Sequence, residues 1–247
     1  MNGKSVLSIV VAIVVGVAVR GFFASDLNPF GNAGAPTASQ IESELLARSE
    51  MFVIIKENFP GEFDALIADV SAAAADGIPA VEAASAAATS ALRIKYAERA
   101  YAADDEDLRT MMRAVAQTHR TVEDLLGAAT CGAFALQGVP AIQDQMRPGT
   151  PVYRAVEAQS IATMKVLASG KDKPPRQQAS DEDFAALFDY ANLSAEDQAK
   201  VDRVGATDPS DPLYCQALVW YIERVANSDV EAAGHVRAFF AYTLASN

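Results

Sequence analysis

The chain has 247 residues, a formal net charge of −12 at pH 7 and a 51% hydrophobic composition, with only two cysteines and two histidines. So acidic a chain repels polyanions, which argues against nucleic-acid binding and against a flat basic membrane-binding face. The cysteines form neither Cys-x-x-Cys nor Cys-x-x-Cys-His, so thioredoxin-like redox chemistry and c-type haem attachment have no motif.

The first element is apolar. Val6 to Val19 runs 14 residues with only Ser8 and Gly16 diluting it. A helix rises about 1.5 Å per residue, so crossing a hydrocarbon core of about 30 Å takes roughly 20 apolar residues. Residues 5–24 reach that length if Arg20 snorkels and the Phe22-Phe23 pair sits near the interface. They predict a single transmembrane helix in residues 1–24. A cleaved signal peptide is the competing reading, but no small-x-small triplet closes the apolar run. The flanking cations, Lys4 and the α-amino group against Arg20, favour a cytoplasmic N-terminus and a domain outside, in the bacterial periplasm. Lys4 and Arg20 are the only charged side chains of this segment, so the acidity belongs to residues 25–247.

Residues 25–37, rich in Pro, Gly and Asn, read as a tether. Helical signals then recur to the C-terminus. Ser39 and Glu42 have the spacing of a capping box, followed by Ile41, Leu45, Phe52, Ile55 and Phe59 at helical intervals. Pro60 marks a restart. Residues 71–91 are about half alanine, which predicts a thin, close-packed helix pair. After Asp104 a long stripe of Leu108, Met112, Val115, His119, Val122 and Leu126 predicts one amphipathic helix. Thr150-Pro151, Ser180, Ser194 and Asp211-Pro212 are further starts, and Ser228 with Glu231 is a second capping box. No stretch alternates as a strand does. The expected fold is all-α, a multi-helix bundle of about eight helices behind the N-terminal span. It divides into a main bundle over 38–169, a linker over 170–180 and a C-terminal helical part over 181–247.

Few residues carry candidate chemistry. Cys131 and Cys215 form an even pair, and in an exported domain that favours one disulfide tying the C-terminal helices to the first bundle. The alternative is two buried thiols, of which Cys215, near a helix start, would be the more reactive. His119 lies four residues before Glu123 and His235 four after Glu231, which is not the Glu-x-x-His spacing of di-iron bundles. No metal site, cofactor or catalytic residue is therefore expected, and no hydrolase or nucleotide-binding motif occurs. The acidic runs 104–107 and 181–183 lack the spacing of a calcium loop and read as helix starts. Lys171, Lys173 and Arg176 are a basic cluster that could meet an acidic partner. Trp220, Tyr221 and Phe240 are either core or the lining of a ligand pocket. The layout points to a membrane-anchored helical protein, not an enzyme, acting by protein–protein contact as an accessory or assembly subunit of an envelope complex. A small-molecule- or lipid-binding bundle is the alternative, and an envelope enzyme without a recognisable motif the second.

Overall fold

In the computed structural model, residues 36–190 and 192–246 are described; the expected transmembrane segment and all but the end of the tether lie outside them. Every regular element among these residues is helical. The α-helices are α1 Ala38–Arg48, α2 Glu50–Asn58, α3 Pro60–Ala73, α4 Ile78–Tyr96, α5 Asp105–Leu126, α6 Ala128–Gln137, α7 Pro151–Ser169, α8 Asp181–Phe188, α9 Ala195–Ala206, α10 Tyr214–Asn227 and α11 Glu231–Ser246. Short 3-10 helices follow α3, α4 and α6. None of these helices is long and apolar enough to cross a membrane.

The eleven α-helices among the described residues exceed the eight or so expected, because local caps cut runs that look continuous in periodicity. Ser49 leaves the helical region (φ −145, ψ 129), ends α1, and accepts from Met51 N to start α2. Gly127 separates α5 from α6 at φ +87 and ψ 163, a conformation open essentially to glycine alone. Two caps differ from the expected ones. The box at the start of α1 is Thr37 with Gln40, not Ser39 with Glu42. At the other end Glu231 opens α11 as its first residue, and Ser228 accepts from Val230 N in a turn instead. The Ser180–Asp183 box and the Ser194 cap of α9 stand where expected.

Two clusters of buried apolar side chains result. One joins α1–α4 through Ile41, Leu45, Phe52, Phe59, Phe63 and Leu92, closed by Met164 and Leu167 of α7. The alanine-rich stretch falls here, where the α3–α4 pair packs closely. The other centres on α5, whose stripe of Leu108, Met112, Val115 and Val122 is buried against α6, α7, α10 and α11. Each fully buried Leu, Val or Phe contributes about 1.5–3 kcal/mol. The helix α7 serves both clusters, since its Val152 and Val156 face the second.

Buried polar contacts fix how these helices meet. Arg237 of α11 is 2% exposed, and its guanidinium donates to both carboxylate oxygens of Asp105 at 2.8 and 2.9 Å. Its Nη1 donates to the carbonyls of Val225 and Ser228 at the end of α10. Arg93 of α4 donates to the Leu244 carbonyl in the last turn of α11, at 2.7 Å, a favourable position for a cation. Residues 170–180 lie along the segment before α5 through the Arg176 backbone N–H, which donates to Tyr101 O at 2.8 Å.

Candidate functional site

The periodicity of α5 puts His119 on its buried stripe, between Val115 and Val122. Twelve residues on, past the Gly127 break, α6 turns Cys131 toward the same point. From the other side, α10 runs antiparallel to α5, as the Arg109–Ala226 and Arg120–Glu223 contacts show, so Cys215 in its first turn meets His119. Gly132 permits the closure. A Cβ there would stand 2.5 Å from the Pro209 carbonyl oxygen, so only glycine lets the loop before α10 lie against α6.

Cys131 and Cys215 are bonded as a disulfide across 84 residues of chain, with Cα atoms 5.9 Å apart, inside the range such bonds require. It joins α6 to α10, as the sequence leads one to expect. The unforeseen member is His119. Its Nδ1 lies 3.7 Å from Cys131 Sγ, and its carbonyl oxygen lies 3.3 Å from Cys131 Sγ and 3.9 Å from Cys215 Sγ. The three donor atoms fall within 4.8 Å of one another, and all three residues are fully buried. Phe134 covers the imidazole, with ring centroids 5.1 Å apart. The ring's Nε2 has no hydrogen-bond partner.

No known family, curated protein or solved structure matches the chain. The site therefore has to be read from its own chemistry.

Burial pushes the His119 imidazole down to about 4, from an ordinary value of 6.5. A charged ring here would have no carboxylate to pair with and no water, so the neutral form is held. The unfolded chain takes up the proton first as pH falls. The native state therefore keeps its full advantage above about 6.5 and loses it progressively down to about 4. The loss over that interval is about 3 kcal/mol, at 1.36 kcal/mol per unit. Urea unfolding at a series of pH values should show this decline, and a His119→Phe variant should flatten it. A wild-type profile that is level across the interval would mean that the imidazole reaches water in the native state.

The other candidates lie apart from this cluster. His235 does not pair with Glu231; its Nδ1 lies 3.1 Å from Asp183 Oδ1 at the start of α8. Lys171 is exposed, Lys173 pairs with Asp104 at 2.7 Å, and Arg176 donates to the Ala103 carbonyl at 2.8 Å. Two members of the basic cluster thus hold the 170–180 segment to the bundle. Tyr221 and Phe240 are 1% exposed, with the Tyr221 ring 4.3 Å from Phe188 and 6.1 Å from Phe240 between centroids. Trp220 is half-buried beneath Lys200 and Arg224. Asp105, in the first acidic run, does more than face the start of α5. Burial pushes its carboxyl up, but hydrogen bonds from Arg109 and Arg237 outweigh that and hold it below the ordinary carboxylate value.

One signal for the cluster was present in the sequence. A histidine on an otherwise apolar stripe, twelve residues from a cysteine already expected to be bridged, is a polar group that needs a partner. Periodicity alone could not say that the partner lay beyond a helix break.

Proposed function

We propose that the protein is a membrane-tethered helical bundle held in an oxidising compartment, the bacterial periplasm, where it acts by protein–protein contact as an accessory or assembly subunit of an envelope complex. The observation that carries this reading is the Cys131–Cys215 bond in the core. Structural disulfides persist in oxidising compartments and are rare in a reducing cytosol. The apolar residues 5–24 ahead of the domain supply the tether. For the contact face, the end of the α5–α10 pair nearest the disulfide has the most to offer. Leu125 and Leu213 both lie at that end, 55% and 46% exposed. An open recess of about 290 Å³ adjoins it at the α5–α6 junction, lined by Leu126, Pro140 and Ile142 together with the polar Thr130, Gln143, Asp144 and Gln145, and its accessible lining is mostly polar. Exposed leucines beside a polar recess offer a partner apolar surface to cover and hydrogen-bonding groups to meet.

Two measurements test the reading. Acid-quenched cells, alkylated under denaturing conditions with and without prior reduction, should show both cysteines blocked until reductant is added, and protease added to spheroplasts should remove the domain. Free thiols in a protease-protected domain would overturn the compartment. A photo-crosslinker at Leu125 in whole cells should give a discrete heavier adduct that a crosslinker at the exposed Lys171 does not. Identical patterns at the two positions would overturn the contact face.

A further inference from the structure

The three donor atoms around His119 do something a structural disulfide does not need. A disulfide requires only two cysteines and an apolar setting; here an imidazole nitrogen and a backbone carbonyl oxygen also lie within 4 Å of the sulfurs. We propose that Cys131, Cys215 and His119 form a second, metal-binding state of the same site: with the disulfide reduced, the trio binds one soft divalent cation of the zinc class. The inference goes beyond the contact function above and does not depend on it.

The distances support this. On a tetrahedral zinc ion with bonds of about 2.3 Å to sulfur and about 2.0–2.1 Å to nitrogen, the nitrogen–sulfur separation is about 3.6 Å and the sulfur–sulfur separation about 3.8 Å. Nδ1 of His119 already lies 3.7 Å from Cys131 Sγ. The sulfurs have only to part from a bonded distance of about 2.05 Å, by rotation about the cysteine χ1 angles, with Cα atoms 5.9 Å apart. The imidazole is available in the form a metal needs: burial keeps it uncharged, and Nδ1 is the nitrogen that faces Cys131 Sγ, with the ring proton then on Nε2.

Charge selects the cation. Two thiolates and a neutral imidazole carry −2, so a divalent ion leaves the dry pocket neutral, whereas a monovalent one leaves a net charge without counter-ion. Soft thiolate donors disfavour magnesium and calcium. Electrons and protons balance. A dithiol reductant gives two electrons and two protons to the Cys131–Cys215 bond, forming two thiols and becoming a disulfide itself. The cation then displaces both thiol protons to solvent.

The test uses cobalt(II) as a spectroscopic stand-in. The full chain is reduced with dithiothreitol without oxygen, freed of reductant and titrated with Co²⁺. The expected result is a single equivalent taken up, with thiolate-to-cobalt charge-transfer bands and the strong d–d bands of tetrahedral coordination, all bleached by added Zn²⁺. The oxidised chain and a Cys131→Ala/Cys215→Ala variant should take up none. His119→Phe should shift the d–d bands and weaken binding by about tenfold or more. Circular dichroism keeps the outcome readable: a reduced chain that loses helicity should regain it with Co²⁺. A helical reduced chain that takes up no cobalt would overturn the proposal, as would an unfolded one that cobalt fails to refold. So would a His119→Phe variant with unchanged spectrum and affinity.

Discussion

Replacing Cys131 and Cys215 together by alanine should lower the unfolding free energy by about 4 kcal/mol, the largest single effect expected in this chain. The bond closes a loop of 84 residues, and the chain-entropy model gives about 4.5 kcal/mol for a loop of that size, which residual structure in the unfolded chain trims. For a domain of this length that is a fall in melting temperature of roughly 10 °C. Alanine is the right replacement because serine would bury two hydroxyls at positions that are fully shut off from solvent. The measurement is urea unfolding followed by helicity, with wild type in the presence and absence of reductant as the reference. A loss below about 1 kcal/mol would mean that the loop is already restrained in the unfolded chain, and that the staple is not what holds α6 to α10.

The second large effect concerns Asp105. Its substitution by alanine removes the carboxylate that meets Arg237 in a two-pronged pair and leaves a charged guanidinium that is 2% exposed in the intact chain. An uncompensated buried charge of this kind costs about 3–5 kcal/mol. The lower end applies, about 3 kcal/mol, because the Asp105 side chain is 40% exposed and water enters once it is cut back. The reverse change, Arg237→Met, should cost less. It keeps a side chain of similar length packed there and leaves no buried charge behind, and Asp105 keeps its contact with Arg109 at 2.8 Å. The order of the two variants in a denaturation experiment is the discriminating result. An Arg237→Met variant less stable than Asp105→Ala would show that the arginine's bonds to the Val225 and Ser228 carbonyls matter more than its charge pair. These bonds seat the C-terminal end of α10 against α11.

Helix content was legible because it rests on local signals. The stripe Leu108–Met112–Val115–His119–Val122 needs only the 3.6-residue period to be read as one buried face, and it is buried. Ser180, Ser194 and Thr150 cap as their side-chain chemistry dictates. The caps that differ from expectation are those where neighbouring residues offered more than one candidate. Thr37 and Ser39 can both cap α1, and the choice between them depends on which turn lets Ile41 and Leu45 face the core. Ser228 fits a capping box in spacing, yet the turn into α11 has to leave the Ser228 carbonyl free for Arg237, and the helix begins later.

The cysteine pair was a matter of arithmetic and compartment, so the bridge could be anticipated from the sequence. His119 beside it could not, because its position depends on the Gly127 break, the Gly132–Pro209 approach and the antiparallel course of α10 together. The basic residues 173 and 176 are similar: their type was plain, but the acceptors at Asp104 and Ala103 lie some seventy residues earlier.

By itself the sequence determined the all-helical character of the described residues, where most of their helices start and which faces they bury, and it favoured a bond between the two sulfurs. All of these follow from interactions among residues a few positions apart or from composition. Only the tertiary structure decided that α7 serves two apolar clusters, that Arg237 closes on Asp105 and that an uncharged imidazole shares its pocket with the disulfide. Those are contacts across tens to more than a hundred residues. Their energy depends on which surfaces are finally excluded from water, and no local pattern in the chain encodes that.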